Sequence, residues 1–323
     1  MYKYRLSLLF FLSFSFLTHA ASFSEQWKMM QQEYQAISES FSNQDVNIFM
    51  HPYWQKQKQI MANLIRGNAD QHFLLKGPIS GPMVRSEWCK TQDYEVVHLQ
   101  NCIKNSTRKL IQSFQDTGFG GLPFRCKEFN CSINALGQLF FFTKILERNN
   151  FNNPKTIVEV GGGYGCLARV TKMIKPNTTY IIFDLPEYIA IQSLYLRSTL
   201  ADNTVNVHKK TPDHFEPGHI HLVPVFLIND IDIKADIFIS TAALSETPEY
   251  VQKTVVDKKF FNANSAYLTG QLNKWGTQYN FEHHKVIFDG IYSCYKLSFA
   301  QPLHHFGGSL NSYEIYGTNN IQK

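Results

Sequence analysis

The chain has 323 residues, of which 44% are hydrophobic, 14% aromatic and 18% charged. That balance supplies a core for one large or two modest domains and excludes an intrinsically disordered chain. The net charge of +5 is spread without a Lys/Arg run, so the sequence carries no nucleic-acid footprint.

Lys3 and Arg5 precede an apolar stretch over residues 6–17, and Thr18-His19-Ala20-Ala21 follow it. A positive start, a short apolar run and small residues predict a leader peptide cut near Ala20. The stretch falls short of the roughly 20 residues of a membrane span, so no stable span is expected once the leader is removed. The implied location is periplasmic or secreted. The alternatives are a cytoplasmic protein or one anchored through residues 6–17.

Residues 23–64 place Trp27, Met30, Tyr34, Ile37 and Phe41 at helical intervals. Gly77-Pro-Ile-Ser-Gly-Pro82 predicts a loop, residues 94–114 a further helix, and residues 119–124 another loop. Ser132 is placed to cap a helix running to Asn149. Residues 21–131 therefore read as a helical N-terminal cap or substrate region, and 132–323 as the catalytic domain. Tyr53, Trp54 and Trp88 with Arg66 and Arg85 are the cap's candidate acceptor contacts, but core packing and surface charge account for them better residue by residue.

From Lys155 onward, short apolar runs alternate with helical segments, the mark of a mostly parallel sheet. Strands are expected at 156–160, 179–183, 219–223, 236–240 and 266–270. Helices are expected from about 165, over 187–199 and over 248–260. Alternation at 292–299 and 312–316 predicts an antiparallel edge pair.

The chemistry concentrates in Ile157-Val-Glu-Val-Gly-Gly-Gly-Tyr-Gly165 and in Tyr180-Ile-Ile-Phe-Asp-Leu-Pro-Glu187. One apolar strand breaks into a glycine turn, and the next ends in Asp184, which can accept from ribose hydroxyls. A dinucleotide fingerprint would need a glycine at 166, where the chain has Cys166. The pattern is instead E-x-G-x-G-x-G.

These motifs, followed by Asp236-Ile-Phe-Ile-Ser-Thr-Ala-Ala-Leu-Ser-Glu246, resemble the sugar O-methyltransferase family of class I S-adenosylmethionine (SAM) methyltransferases. The resemblance covers residues from about 136 to the C-terminus. It implies a Rossmann-like α/β fold with a mostly parallel sheet, an antiparallel last strand and an N-terminal helical cap. It further implies SAM as cofactor, a sugar or glycan hydroxyl as acceptor, and O-methylation as the reaction. Gly161, Gly162, Gly163, Tyr164 and Gly165 would form the cofactor loop, with Glu159 near the cofactor's ammonium. Asp184 would hold the ribose, with Leu185 and Pro186 flanking sugar and adenine. Ser240, Thr241, Ser245 and Glu246 follow a strand end and are expected to face the cleft. Glu246 is a candidate for orienting or deprotonating the acceptor, or else a helix N-terminal acid. His304 and His305 are the leading candidates for the general base, ahead of His283 and His284. Gln271 and Asn273 are candidate polyol contacts.

An exported methyltransferase fold that has lost transfer and kept binding is the alternative. Six cysteines permit disulfides in an exported chain, with Cys89–Cys102 and Cys126–Cys131 as local candidates among all the pairings. Cys166 is expected to be free and buried. No metal site is read. Sequons stand at Asn105, Asn130 and Asn177.

Overall fold

The computed structural model describes residues 21–41, 48–50, 52–84, 114–124, 130–149, 153–200, 202–271, 281–302 and 312–319. The leader, residues 94–113 of the expected helix, Arg85, Trp88, Cys89, Cys102, Asn105, Cys126, Asn273, His304 and His305 lie outside the described residues, as do the side chains of Tyr53, Gln271 and His283.

Helix α1 (Phe23–Glu39) opens with a capping box, in which the Ser22 hydroxyl accepts from the Glu25 N–H and the Glu25 carboxylate accepts from the Ser22 N–H. Trp27, Met30, Tyr34 and Ile37 are buried along one stripe, as the spacing requires. Helix α2 (Pro52–Arg66) follows. Residues expected to form a loop after it instead make a short helix α3 (Gly77–Met83) with Pro at its start, a position where the missing N–H costs nothing. Helix α4 (Ile133–Arg148) begins where Ser132 caps the Ala135 N–H at 3.2 Å. Asp116 accepts in turn from the Ser132 N–H and hydroxyl.

The sheet comprises β1 (Thr156–Val160), β2 (Thr179–Asp184), β3 (Val205–Val207), β4 (Ile220–Pro224), β5 (Ile237–Thr241), β6 (Ser265–Gln271), β7 (Tyr295–Pro302) and β8 (Ser312–Asn319). Their order is β3-β4-β2-β1-β5-β6-β8-β7. All pairs from β3 to β6 are parallel, and β8 runs antiparallel between β6 and β7. This is a Rossmann-like α/β fold with a mostly parallel sheet and one antiparallel strand. The central strands read as near-continuous apolar runs because both faces are covered. Helices α5 (Cys166–Ile174), α6 (Pro186–Thr199), α7 (Glu249–Asp257) and α8 (Phe281–Cys294) make the crossovers. Strand β3 and helix α8 were not read from the sequence. The helix expected to reach 260 stops at Asp257, because residues 259–262 turn left-handed to bury Phe260 and Phe261 against Phe238 and Phe183.

Helix α6 is buried nearly all round because α1 lies on the side away from the sheet. Glu33 of α1 accepts from Ser193 and Arg197, and Ser198 donates to Gln26 at 2.9 Å. The Tyr34 hydroxyl donates to the buried Glu187 carboxylate at 2.8 Å. The N-terminal helices thus share one core with the sheet.

No helix among the described residues is long and apolar enough to cross a membrane.

Candidate cofactor-binding site

The chain runs along β1 to β2 and β4 on one side, then returns to β5 and β6 on the other. Strand order therefore reverses between β1 and β5, and the crevice at their carboxyl ends is the place where such sheets bind ligands. There the chain turns through Gly161, Gly163 and Gly165, all with positive φ (80°, 58° and 94°). The Gly161 N–H donates to the Phe183 carbonyl at 2.9 Å. A Cβ on Gly161 would lie 2.0 Å from the Ala243 Cβ, so the loops after β1 and β5 meet with no room for a side chain. A Cβ on Gly163 would meet nothing within 4 Å, which leaves the outer face of the loop open to backbone approach by a ligand.

Asp184 closes β2 and is bound into this turn. Its Oδ2 accepts from the Gly162 N–H at 3.0 Å and the Gln192 side-chain amide at 2.7 Å, and its Oδ1 from the Leu185 N–H at 2.8 Å. A carboxylate offers about four acceptor positions, so these donors leave Oδ1 capacity for a further partner. Burial pushes the Asp184 carboxyl up to about 7, against the pull of those hydrogen bonds. Leu185 is half-buried at the N-cap of α6, and Pro186 sits buried in its first turn.

Three expected cofactor contacts turn inward instead. Glu159 is 1% exposed and accepts from the Tyr180 hydroxyl at 2.9 Å, and burial raises its carboxyl to about 8. The Tyr164 side chain is buried edge-on against Tyr195, with its hydroxyl accepting from Asn134 at 2.7 Å. Ser240 is fully buried; its hydroxyl donates to the Val160 carbonyl at 3.0 Å and accepts from the Leu244 N–H at 2.9 Å, so it staples β1 to the turn after β5. Alternation along a strand sends every second side chain away from the cleft, and strand ends read from sequence do not fix which.

On the far side of the crevice, Ala242 takes a positive φ of 71° and its carbonyl accepts from the Ser245 hydroxyl at 2.6 Å. Ser245 also bonds Tyr313, whose ring fills the space left by Gly270. His284 is buried with its ring edge-on to Tyr313 at 5.9 Å. Glu246 is largely buried in the short 3-10 turn Leu244–Glu246. Cys166 is free and buried as expected, its thiol pushed up to about 12 by that burial. Gln192 went unread in the sequence. The signal was there, as a lone amide in the apolar run Ile189-Ala-Ile-Gln192-Ser-Leu-Tyr-Leu196. Among the described residues, no group of three or more His, Cys, Asp or Glu side chains is placed to hold a metal ion.

The comparisons with known proteins bear on this same part of the chain. Residues 125–216 match the family model of the O-methyltransferase domain. That match spans the glycine turn and Asp184 and stops short of β4. No curated protein matches the sequence. Among solved structures, protein 1320 of Thermoplasma acidophilum is 13% identical, with 68% of this chain and 98% of that chain covered and a TM-score of 0.41. The N-methyltransferase NodS from Bradyrhizobium japonicum, in complex with S-adenosyl-l-homocysteine, is 9% identical, with 70% and 98% covered and a TM-score of 0.41. Likenesses this remote say nothing of what the present chain acts on.

Proposed function

We propose that this chain is a SAM-dependent methyltransferase that methylates a hydroxyl of a sugar or glycan. The observation that carries the first half is the left-handed glycine turn, tied to Asp184 at the switch point of a class I sheet. The Gly163 backbone is open to the amino-acid end of the cofactor, and Asp184 has acceptor capacity toward a ribose hydroxyl. Leu185 offers an apolar flank beside it. Glu159 acts through the sheet, holding β1 against β2 by way of Tyr180, with no direct contact proposed. SAM supplies a sulfonium methyl group for in-line displacement.

The protein must hold the acceptor oxygen in line and take up its proton. Glu246, beside the β5 turn, and His304 and His305 are the candidates for that role. The O-methyltransferase family match supports transfer to oxygen, and the motif resemblance supports a sugar.

Calorimetric titration with SAM and with S-adenosylhomocysteine tests the reading: both should bind, and binding of neither overturns it. Turnover with an amine acceptor and with no sugar hydroxyl would overturn the choice of acceptor alone. Binding with no transfer to any acceptor would favour a protein that kept the fold and lost the reaction. The leader-like pattern of residues 3–21 is the ground for proposing export, and fractionation of the source cells checks that directly.

A further inference from the structure

We propose that His208 and His221 form an acid-sensitive clasp that holds β3 and its crossover loop to the edge of the sheet, and that protonation of His221 releases it. The clasp lies on the β3–β4 edge, outside the glycine-turn site, and does not depend on the methyltransferase reading.

The hydrogen bonds fix where the protons are. His221 Nε2 lies 2.9 Å from the Glu216 carbonyl oxygen, which can only accept, so this nitrogen carries the proton. A neutral His221 then has a bare Nδ1. That atom faces His208 Nε2 at 3.0 Å, so His208 must donate. The result is a one-way chain, from His208 through His221 to the backbone of the crossover. The two rings stack with centroids 5.2 Å apart, and Phe215 packs edge-on against both. A proton on His221 Nδ1 would set two N–H groups against each other unless His208 gave up its own Nε2 proton. Either way the one-way chain is broken or reversed at its middle, with a charge placed beside the Phe215 ring.

The surroundings offer little to accept that charge. The Glu216 carboxylate favours a charge on His221, but its Oε1 is already 3.2 Å from His219 Nε2. His219 Nδ1 faces the Asn206 amide at 3.3 Å. His214 adds a further imidazole that acts on His221. Lys209 and Lys210 on the same loop offset Asp213 and Glu216 in formal charge, so each protonated imidazole adds uncompensated positive charge. From α5, the Lys172 ammonium donates to the Gly218 carbonyl, and from α6, Arg197 donates to the Val205 carbonyl at 3.3 Å. Both are cations, and neither helps a second positive charge. Burial and the neighbouring ring hold His208 down to about 4, and burial with His219 and His214 lowers His221.

Depressed imidazoles stabilise the fold above their ordinary value of 6.5 and lose that contribution as pH falls from 6.5 toward 4. Strand β3 is the element that yields, because it is three residues long and among the described residues pairs only with β4. The Gly218 N–H to Thr179 hydroxyl bond at 2.9 Å does not titrate in this range, so the root of the loop stays attached.

Hydrogen exchange of the full chain at pH 7.5 and pH 5 tests the clasp. After correction for intrinsic rates, amides of 205–216 should open about tenfold more per pH unit below the neutral range, the slope of one proton. Amides of β1 and β2 should not change. The His221→Phe variant keeps a ring in the stack and should reduce the pH dependence to what His208 alone gives. Equal protection of 205–216 at both pH values, or the same slope in His221→Phe, overturns the proposal. If that variant does not fold, nitrogen NMR of the unaltered protein decides. His221 with a bare Nδ1 at pH 7.5 and a depressed titration supports the clasp, and the opposite tautomer or an ordinary titration overturns it.

Discussion

Gln192 donates from one amide nitrogen to two partners, the Gly163 carbonyl at 2.9 Å and the Asp184 carboxylate at 2.7 Å. A helix side chain thereby locks the turn after β1 to the end of β2. Gln192 is fully buried, so removing it takes a donor from two part-buried acceptors and leaves a hole beside them. Gln192→Ala should cost about 1–3 kcal/mol, the usual range for a buried group left unpaired. Urea unfolding gives that number. The same variant should weaken SAM binding by calorimetry, and full affinity in a destabilised variant would show that the lock serves the fold alone.

The glycines separate fold from ligand. Gly161→Ala places a Cβ 2.0 Å from that of Ala243 at a φ of 80°, so it should unfold or strongly destabilise the protein. Pairing it with Ala243→Gly should recover part of the loss, because the clash goes and the strain remains. Gly163→Ala has open space around it, and its left-handed φ costs only about 1–2 kcal/mol. Gly163→Ala should fold and should bind SAM poorly, as judged by melting and titration together. Undiminished SAM binding there would place the cofactor elsewhere.

Asp184 sets a pH dependence with two opposite signs. Its carboxyl sits at about 7 in the fold, above its ordinary 3.8. The folded protein therefore holds a proton that the unfolded chain has lost, and the stability this gives at low pH is lost as pH rises from about 4 to 7. Glu159 adds the same sign up to about 8. A ribose hydroxyl needs the ionised carboxylate, so SAM affinity should rise from pH 6 to pH 8. Titrations across that range check it, and Asp184→Asn should flatten the curve.

Ser240 is predicted to matter for stability. Ser240→Ala removes the staple between the Val160 carbonyl and the Leu244 N–H and leaves both buried, a loss of about 1–3 kcal/mol. SAM affinity in the folded fraction should change little. A selective loss of SAM affinity with unchanged stability would return Ser240 to the cleft.

Sequence by itself determined five of the six strands from Thr156 to Gln271, all but the three-residue β3, because fully buried parallel strands are continuous apolar runs that little else resembles. It also determined the glycine turn and the carboxylate at Asp184, since left-handed backbone favours glycine and the acid follows at a fixed distance in the chain. The helix at Ile133–Arg148 was legible from its Ser132 cap. Tertiary structure decided the rest. Tyr164, Glu159 and Ser240 lie in or beside the motifs, yet face Asn134, Tyr180 and Val160, because which way a side chain turns depends on partners distant in sequence. Helix α8 was hidden because the sequence signal around it was read as strand alternation. Gln192 stands out as a lone amide, but its partners, like the histidine clasp, are invisible for the same reason: a hydrogen bond between elements is a property of packing, and a sequence records only the atoms able to make it.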